Sequence, residues 1–441
     1  MTAPARLFGT DGVRGVAGEF LTAELALSLG RAATAIAPAD APQVLIVRDT
    51  RESGEMLEAA LAAGIAAAGG HALLGGVLPT PGAALLVRRF GFDLAAVVSA
   101  SHNPYRDNGI KFFGPDGTKL GDEQEAEMER LVAAAGDDAE AADGRVRELH
   151  GAGGDYLREL HSRFAGLDLS KRSVLLDCAH GATYRVAPEI FRRLGARVEE
   201  TAVEPDGRNI NDGVGSTHVD ALAERLRAGD FDAGFAFDGD GDRVLAVDRR
   251  GEVVDGDELI ALAALHMREA GRLPGNGVAV TVMTNYGFHQ AMEEAGVEVA
   301  TTPVGDRHVL AELLARDWAL GGEQSGHIID TGFVPSGDGI ASALLTLEAL
   351  GDRDLADRDA MKKLPQKLVN VRVNDRDALE AAKSVWEAVD HESQALEGRG
   401  RVLVRPSGTE PLVRVMVEAP DEEECQAVTA RLVEVVEREL S

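Results

Sequence analysis

Short apolar runs alternate with longer amphipathic stretches along most of this chain. Residues 43–47 form an apolar run rich in branched side chains, a helical pattern covers 53–68, and a second apolar run covers 72–78. The same alternation starts again at 173–177 and at 277–283. Strands that alternate with helices are typical of α/β layers and not of β-sandwiches or helix bundles.

The last part of the chain has a different pattern. Two alternating runs at 368–373 and 401–405 flank a predicted long helix at 376–396, and a strand at 412–418 and a helix at 421–439 follow. This short unit is therefore predicted to be α+β. No sequence repeat of fixed period is visible anywhere in the chain.

These changes of pattern predict four domains. Boundaries fall in an acidic, glycine-rich stretch at 136–154, near 250–256, and at Pro365, before the last alternating runs. A length of 441 residues suits two to four domains. Three α/β domains and a smaller C-terminal α+β domain are predicted, with the bounds 1–150, 151–253, 254–366 and 367–441.

The charge of the chain restricts its partners. There are 74 Asp and Glu residues against 45 Lys and Arg, so the formal charge is −29. Binding to nucleic acid or to anionic lipid depends on Lys and Arg, so neither a nucleic acid nor a membrane is expected as a partner. The apolar fraction of 45% is that of a globular protein.

Other features favour a cytoplasmic protein. Cys178 and Cys425 lie far apart, which excludes a CxxC motif, and both are expected to be buried thiols. The uncharged stretch 59–87 is interrupted by glycines and prolines, so we expect a helix, a short strand and a loop there, not a membrane span. Charged residues come too early at the N-terminus for a secretory leader.

Four loops that follow apolar strands carry the candidate chemistry, because α/β sheets bind ligands beyond the carboxyl ends of their strands. The first loop runs from Ser99 to Pro104 and contains Ser101 and His102, with Lys111 close behind. Ser101 could be a nucleophile beside a base, or the segment could be an ordinary turn. The G-x-S-x-G motif of many hydrolases does not occur at this serine.

The second loop, at 238–243, contains three carboxylates within five residues, Asp238, Asp240 and Asp242. These carboxylates repel each other unless a cation lies among them, and their oxygen ligands suit Mg²⁺ or Ca²⁺. An EF-hand is excluded, because Arg243 and Arg249 stand where its glycine and final glutamate are required. Mg²⁺ shared with a phosphate is the favoured interpretation, and a solvated acidic turn is the alternative.

The other two loops suit a phosphorylated sugar. Glu323 and Ser325 offer polar groups to sugar hydroxyls, although loops of this composition are common. The loop that begins at Arg405, with Arg414 after it, offers guanidinium and N–H donors to phosphate or forms a hairpin turn. No Walker A motif is present.

Taken together and in this order, the four loops resemble the α-D-phosphohexomutase superfamily over essentially the whole chain. Besides the acidic loop and the Arg405 loop, the resemblance rests on FGTDGVRG at 8–15, SASHNP at 99–104, NIN at 209–211 and EQSGH at 323–327. Within the superfamily, these motifs are most similar to those of the bacterial enzymes that act on glucosamine phosphates.

The resemblance implies a fold and a reaction. The fold is four domains around a central cleft, with mixed sheets in the three α/β domains, in a chain that forms a homodimer. The reaction is an isomerisation of glucosamine 6-phosphate to glucosamine 1-phosphate, which supplies UDP-N-acetylglucosamine synthesis. It would pass through a phosphoserine at Ser101 and a 1,6-bisphosphate intermediate.

The resemblance also implies a role for each matching residue. The catalytic residues would be Ser101, His102, Lys111 and Arg14. One Mg²⁺ per chain would be held by phosphorylated Ser101, Asp238, Asp240 and Asp242. The substrate would be bound by Arg243, Glu323, Ser325, Arg405, Ser407, Gly408, Thr409 and Arg414.

Two other functions stay open. A mutase of the same superfamily could prefer mannose or glucose phosphates, and a non-catalytic relative could bind sugar phosphates without turnover. The second is disfavoured because the serine, the three aspartates and the lysine are all present.

One departure from the family pattern is His180, which stands where the family often has asparagine and puts a local hydrogen bond in doubt.

Overall fold

The computed structural model of the chain describes residues 7–9, 11–134, 143–407 and 411–440. Contacts along the backbone divide it into two compact units. One unit comprises the chain up to Val282 together with Ala300–Arg358, and the other comprises Met283–Val299 and Asp359–Ser441. No helix in the described part of the chain is both long enough and apolar enough to cross a membrane.

The first sheet belongs to residues 13–148. The elements of this region are, in chain order, β1 (Val13–Val16), α1 (Ala23–Ile36), β2 (Gln43–Arg48), α2 (Gly54–Ala67), β3 (His71–Val77), α3 (Thr80–Phe90), β4 (Leu94–Val98), β5 (Asp107–Phe113), α4 (Asp122–Ala134) and β6 (Arg145–Glu148). The six strands are ordered β1-β5-β4-β2-β3-β6. Strands β2, β3, β4 and β6 run parallel, and β5 is antiparallel to both of its neighbours.

The second sheet has five strands in the order β11-β10-β9-β7-β8. Its region contains α5 (Ala152–Arg163), β7 (Ser173–Asp177), α6 (Val186–Arg193), β8 (Arg197–Thr201), α7 (Asp220–Ala228), β9 (Ala233–Phe237), β10 (Val244–Asp248) and β11 (Val253–Val254). Strands β7, β8 and β9 are parallel, and β10 turns back antiparallel to β9.

The third sheet also has five strands, in the order β13-β12-β14-β15-β16. Its region contains α8 (Gly256–Glu269), a 3₁₀ turn (Pro274–Asn276), β12 (Gly277–Thr281), α9 (Tyr286–Glu294), β13 (Glu298–Thr302), α10 (Asp306–Arg316), β14 (Leu320–Gly322), β15 (Ile328–Asp330), β16 (Val334–Gly337), α11 (Gly339–Leu350) and a 3₁₀ turn (Leu355–Asp357). Strand β14 is parallel to β12, and β15 is antiparallel to β14.

The C-terminal region forms a three-stranded antiparallel sheet in the order β17-β19-β18. Its elements are β17 (Gln366–Arg372), a 3₁₀ turn (Asp377–Ala381), α12 (Lys383–Ala395), β18 (Arg401–Pro406), β19 (Leu412–Glu418) and α13 (Glu422–Leu440). Helices α12 and α13 supply apolar side chains to the core of this sheet. The predicted fold class, three α/β sheets of mixed direction and a smaller α+β unit, is therefore confirmed.

All three larger sheets place a candidate loop at an equivalent point. The Ser101 loop joins β4 to β5, the acidic loop joins β9 to β10, and the 323–327 loop joins β14 to β15. In each case the strand before the loop is paired in parallel on its other side, and the strand after it runs antiparallel. Strands β4, β9 and β14 are completely buried, which is why their sequences are apolar or glycine.

Two of the predicted elements were wrong in detail. The stretch 376–396 is not one helix, because Ala382 has a non-helical backbone (φ −78°, ψ 80°) that separates a 3₁₀ turn from α12. In the stretch 59–87 the helix and the strand are present, but the expected loop contains helix α3. Pro81 is the second residue of that helix, in the first turn, where a missing N–H costs nothing, so the proline does not interrupt the helix.

A buried tyrosine–carboxylate contact joins α5 to the start of α11. The hydroxyl of Tyr156 lies 2.9 and 2.8 Å from the two carboxylate oxygens of Asp338, and Asp338 also accepts the N–H of Ala341 as the helix N-cap. Both side chains are buried. Burial outweighs these hydrogen bonds and raises the pKa of Asp338 to about 6.

This raised pKa predicts a pH-dependent difference in stability between the protein and its Asp338→Asn variant. Because the folded-state pKa is above the unfolded value, the stability that Asp338 contributes is lost as pH rises from about 4 through about 6. Relative to the variant, which keeps the cap and does not titrate, the free energy of unfolding should fall by up to about 3 kcal/mol and then stay constant. Parallel denaturant titrations between pH 4 and 8 measure this, and a pH-independent difference would contradict it.

Candidate active site

Ser101 is buried at the start of the loop between β4 and β5. Its backbone has φ +51°, in the left-handed region that residues other than glycine seldom adopt. Its hydroxyl donates a hydrogen bond of 2.5 Å to Oδ2 of Asp238. The nucleophile candidate of the first sheet thus meets the acidic loop of the second sheet directly.

The acidic loop is folded tightly against the serine loop. A side chain at Gly239 would place its Cβ 2.5 Å from the carbonyl oxygen of Ser101, and Gly241 has φ +72°. Only glycine meets both requirements without strain. Asp238, Asp240 and Asp242 are all buried, and they offer three carboxylate oxygens within 4.8 Å of one another.

The arrangement of these carboxylates fits a divalent cation. Burial and the neighbouring Asp242 and Asp240 raise the pKa of Asp238 well above its usual value. Oδ1 of Asp240 and Oδ1 of Asp242 are buried and have no hydrogen-bond partner in the described part of the chain. Oxygen ligands of this kind suit Mg²⁺, which would satisfy both oxygens and relieve the repulsion. The three aspartates predicted from the sequence thus form a site that can hold the metal.

Lys111 lies on β5, and its side chain is buried beside the acidic loop. Its Nζ is 2.7 Å from Oδ2 of Asp240, 3.2 Å from Oδ2 of Asp11 and 3.8 Å from Oδ2 of Asp242. Burial alone would lower the pKa of Lys111, but these carboxylates outweigh it and raise the pKa. Without a metal ion, Lys111 therefore carries a charged ammonium group.

His102 and Arg14 also lie at this site. Nδ1 of His102 is 3.3 Å from the hydroxyl of Ser101. Burial and the guanidinium groups of Arg243 and Arg14 lower the pKa of His102, so its imidazole is neutral at pH 7. Arg14 forms an ion pair with Asp11, and its buried Nε has no hydrogen-bond partner among the described residues.

The 323–327 loop contacts the acidic loop through a backbone bridge between Arg243 and His327. The N–H of Arg243 donates to Asp238 Oδ1 at 3.1 Å, and its Nε is 3.8 Å from Oδ1 of Asp242. Glu323 lies near enough to contribute to the raised pKa of Arg243. Ser325 is exposed at the tip of the same loop, where a ligand can reach its hydroxyl.

The phosphate-binding candidates belong to the other compact unit. Arg405 on β18 and Arg414 on β19 are direct neighbours across the antiparallel pair. Burial and the adjacent Arg414 lower the pKa of Arg405, so an anion between the two cations would relieve their repulsion. Ser407 is buried at the end of β18. Gly408 and Thr409, predicted to bind the same phosphate, lie outside the described residues.

Several residues that contact these sites were not predicted from the sequence. The hydroxyl of Thr80 donates to Oδ2 of Asp240 at 2.7 Å, and Nδ1 of His327 lies 3.6 Å from Oδ2 of Asp242. The N–H of Gly337 donates to Nε2 of His327, which directs the proton on Nδ1 towards the carboxylate. Arg376 donates to the carbonyl oxygen of Ser407 at 2.7 Å. Only His327, inside the EQSGH motif, carried a signal that could have been used.

The departure at His180 does not disturb its loop. The residue has φ +49°, a conformation that both histidine and asparagine adopt more often than most residues do. Its N–H donates to the carbonyl of Ala202, and its own carbonyl accepts the hydroxyl of Thr50. The backbone, not the side chain, therefore makes the bonds that hold this turn.

Comparisons with known proteins agree with this architecture. Models of the phosphoglucomutase/phosphomannomutase family match four consecutive regions: alpha/beta/alpha domain I at residues 5–138, domain II at 154–251, domain III at 255–368 and the C-terminal domain at 368–435. The chain therefore belongs to the phosphoglucomutase/phosphomannomutase family.

Individual relatives indicate which enzymes within this family the chain is similar to. A phosphoglucosamine mutase of Moorella thermoacetica is 51% identical over 97% of this chain and 98% of its own length. A phosphoglucosamine mutase of Desulforudis audaxviator is 50% identical over 98% and 97%. A solved structure of a putative phosphomannomutase from Thermus thermophilus matches with a TM-score of 0.80 and 25% identity, over 99% of this chain and 100% of that one. These comparisons confirm two expectations from the sequence, the superfamily and the enzyme class, which is a mutase and therefore an isomerase.

Proposed function

We propose that this chain interconverts glucosamine 6-phosphate and glucosamine 1-phosphate, the latter for UDP-N-acetylglucosamine synthesis. The observation that carries the proposal is the hydrogen bond from Ser101 to Asp238, the first carboxylate of a buried cluster suited to Mg²⁺. This juxtaposition brings a nucleophile to a cation site, as phosphoryl transfer requires. The sugar is inferred from relatives about half identical to this chain, which are phosphoglucosamine mutases.

In the proposed reaction, the resting enzyme carries a phosphoryl group on the Ser101 oxygen. The 1-hydroxyl of glucosamine 6-phosphate attacks that phosphorus, the bond to the serine oxygen breaks, and the hydroxyl loses its proton. The product of this step is the 1,6-bisphosphate. The intermediate reorients, and the serine oxygen takes the 6-phosphoryl group as the 6-oxygen gains a proton. Glucosamine 1-phosphate leaves, and the phosphoserine is restored.

The residues around Ser101 supply charge and proton transfer in this scheme. Mg²⁺ held by Asp238, Asp240, Asp242 and a phosphoserine oxygen would offset the charge of the phosphoryl group and polarise its phosphorus. Lys111 is proposed to take the proton of the 1-hydroxyl as a neutral amine and to give it to the 6-oxygen in the second step. Its carboxylate neighbours hold it as an ammonium group, and Mg²⁺ on the same carboxylates would weaken that hold and favour the amine. The neutral ring of His102 lies within reach of the serine oxygen, and Arg14 adds positive charge on the phosphoryl side.

The remaining residues are proposed to hold the substrate. Glu323 and Ser325 would bind sugar hydroxyls, with Arg243 beside them. The phosphate that is not being transferred would be bound at the C-terminal sheet. That phosphate site would comprise Arg405, Ser407, Gly408, Thr409 and Arg414. The pair of adjacent guanidinium groups supports this assignment because no carboxylate among the described residues of its own unit forms an ion pair with it.

The alternative is a mutase with a preference for mannose or glucose phosphates, since the same fold occurs in a putative phosphomannomutase. The test is the relative kcat/KM for the 6-phosphates of glucosamine, glucose and mannose with Mg²⁺ present. We expect glucosamine 6-phosphate to be preferred by at least about 10-fold, which corresponds to one well-placed polar contact. A preference for mannose 6-phosphate would contradict the proposal, and no turnover of any of the three would favour a non-catalytic relative.

Four further expectations belong to the same proposal. The chain would act as a homodimer, which light scattering of the purified protein tests. It would work in the cytoplasm, and the two buried, unpaired cysteines, Cys178 and Cys425, suit a reducing compartment. Its domain boundaries would be those predicted from the sequence. Partners other than the phosphosugar and a second copy of the chain, such as nucleic acid or membrane, are not expected.

A further inference from the structure

A single buried arginine holds the backbone of the serine loop. The side chain of Arg51, which follows β2, is completely buried. Its Nε donates to Oδ2 of Asp49 at 2.8 Å. The other four N–H groups of the guanidinium donate to carbonyl oxygens, those of Ser101, Asn103 and Pro104 in the serine loop and that of Asp107, the first residue of β5. All five donors of this side chain are therefore used, three of them on the serine loop and one on the residue at which β5 begins.

Asp49 reaches the same loop from its other side. Its Oδ2 also accepts the hydroxyl of Ser99 at 2.6 Å, and the oxygen of that hydroxyl accepts the N–H of Ser101 at 2.9 Å. The buried Asp49–Arg51 ion pair thus holds both peptide groups that flank Ser101. Asp49 holds the N–H side through the hydroxyl of Ser99, and Arg51 holds the carbonyl side directly. Asn211 adds a second donor to the carbonyl oxygen of Ser101.

These bonds explain how Ser101 keeps its unusual backbone. A residue other than glycine stays at positive φ only where its surroundings impose that conformation, and here the imposed conformation directs the hydroxyl to Asp238. A phosphoryl group on Ser101 has to meet both the metal site and a substrate hydroxyl. Displacement of a reacting group by about 1 Å costs on the order of 100-fold in rate.

We propose that Arg51, paired with Asp49, is the positioning residue that fixes Ser101 in the geometry for phosphoryl transfer. The expected change in kcat rests on the proposed function. The expected change in the structure of the loop rests only on the contacts described above. Lysine cannot replace arginine here, because an ammonium group donates from one point and cannot reach four carbonyls and a carboxylate together. Arg51→Lys therefore keeps the charge and loses the positioning.

The test compares Arg51→Lys with a matched control in the full-length protein with Mg²⁺. Arg358→Lys is the control, because Arg358 is also largely buried and paired with carboxylates, those of Asp248 and Glu258. We expect kcat for glucosamine 6-phosphate to fall about 100-fold in Arg51→Lys, with KM changed by less than about threefold. Arg358→Lys should lose thermal stability without this change in kcat.

Hydrogen exchange of the loop gives a readout that does not depend on turnover. Amides of residues 99–108 should exchange at least about tenfold faster in Arg51→Lys than in the wild-type protein or in Arg358→Lys. Unchanged exchange there, or a loss of activity that only matches the loss of folded protein, would overturn the proposal. If the wild-type protein does not turn over glucosamine 6-phosphate, the proposed function fails, and the exchange data still decide the role of Arg51.

A milder variant covers the case in which Arg51→Lys does not fold. Ser99→Ala removes one small hydroxyl and with it the link between Asp49 and the N–H of Ser101. We expect it to fold, to lose about tenfold in kcat at nearly constant KM, and to exchange faster in the same loop. Wild-type kcat and exchange in Ser99→Ala would overturn the positioning by the Asp49–Arg51 pair.

Discussion

Replacement of Ser101 by alanine is expected to reduce turnover of glucosamine 6-phosphate by at least about 10⁴-fold while the protein stays folded. The variant lacks the oxygen that would carry the phosphoryl group, and no other hydroxyl is in contact with Asp238 among the described residues. Alanine has the same backbone cost at φ +51° as serine, so the loop is not relieved of strain by the change. Steady-state kinetics and a thermal unfolding curve measure both parts of this expectation.

The control for this variant is Ser28→Ala. Ser28 lies on α1, away from these loops in the chain, and its hydroxyl donates a hydrogen bond to the carbonyl of Glu24, so the loss of this hydroxyl should leave turnover unchanged. Near-normal activity of Ser101→Ala would refute the phosphoserine role. A variant that is inactive but also unfolded would require the comparison of soluble, folded fractions before any conclusion.

The second large effect is expected for Asp240→Asn, which should weaken Mg²⁺ binding by at least about 100-fold. Oδ2 of Asp240 accepts hydrogen bonds from Lys111 and from Thr80, and Oδ1 has no hydrogen-bond partner in the described part of the chain. An asparagine amide at this position is unfavourable in both of its orientations. One orientation turns its NH₂ group against two donors, and the other turns it towards the cation.

Isothermal titration of the metal-free protein with Mg²⁺ tests this expectation directly, and turnover at raised Mg²⁺ concentration shows whether the defect lies in binding. Asp116→Asn is the control, since Asp116 is exposed in a turn, where its carboxylate accepts hydrogen bonds from Thr118. The same Mg²⁺ titration for Asp240→Asn and the wild-type protein would mean that the acidic loop does not hold the metal.

The sheets and loops could be predicted from the sequence because their signals are local. A buried strand has an apolar sequence, as at 94–98 and 233–237, and the polar residues that follow it indicate the loop. The acidic loop was recognisable because three carboxylates so close together are unfavourable without a cation. The four loops were recognisable as a set only through the resemblance to a superfamily.

The contacts between loops could not be predicted, because they join residues far apart in the chain. Thr80 and Asp240 are 160 positions apart, and Arg51 lies 50 positions before Ser101. The sequence near Arg51 gives no sign that its side chain is buried among carbonyl groups. The positive φ of Ser101 is equally invisible, since serine is not a residue that normally indicates it.

The strong negative charge of the chain is compatible with an anionic substrate because cations are concentrated at the site. Lys111 and Lys119 both contact Asp11, and Arg14 and Arg243 lie at the same group of loops. The net charge of −29 therefore disfavours extended polyanions as partners, and a small phosphorylated sugar remains a suitable ligand.

The central claim is that Ser101 carries the phosphoryl group that moves to and from the sugar. Intact-mass spectrometry of the purified protein before and after incubation with substrate and Mg²⁺ tests it most directly, with peptide mapping to locate the group. The predicted result is a mass increase of one phosphate that maps to Ser101 and that, when the substrate carries an isotope-labelled phosphoryl group, is replaced by the labelled group. Turnover by a protein that never carries phosphate on Ser101, or an unlabelled phosphate that stays on Ser101 throughout turnover of the labelled substrate, would contradict the account.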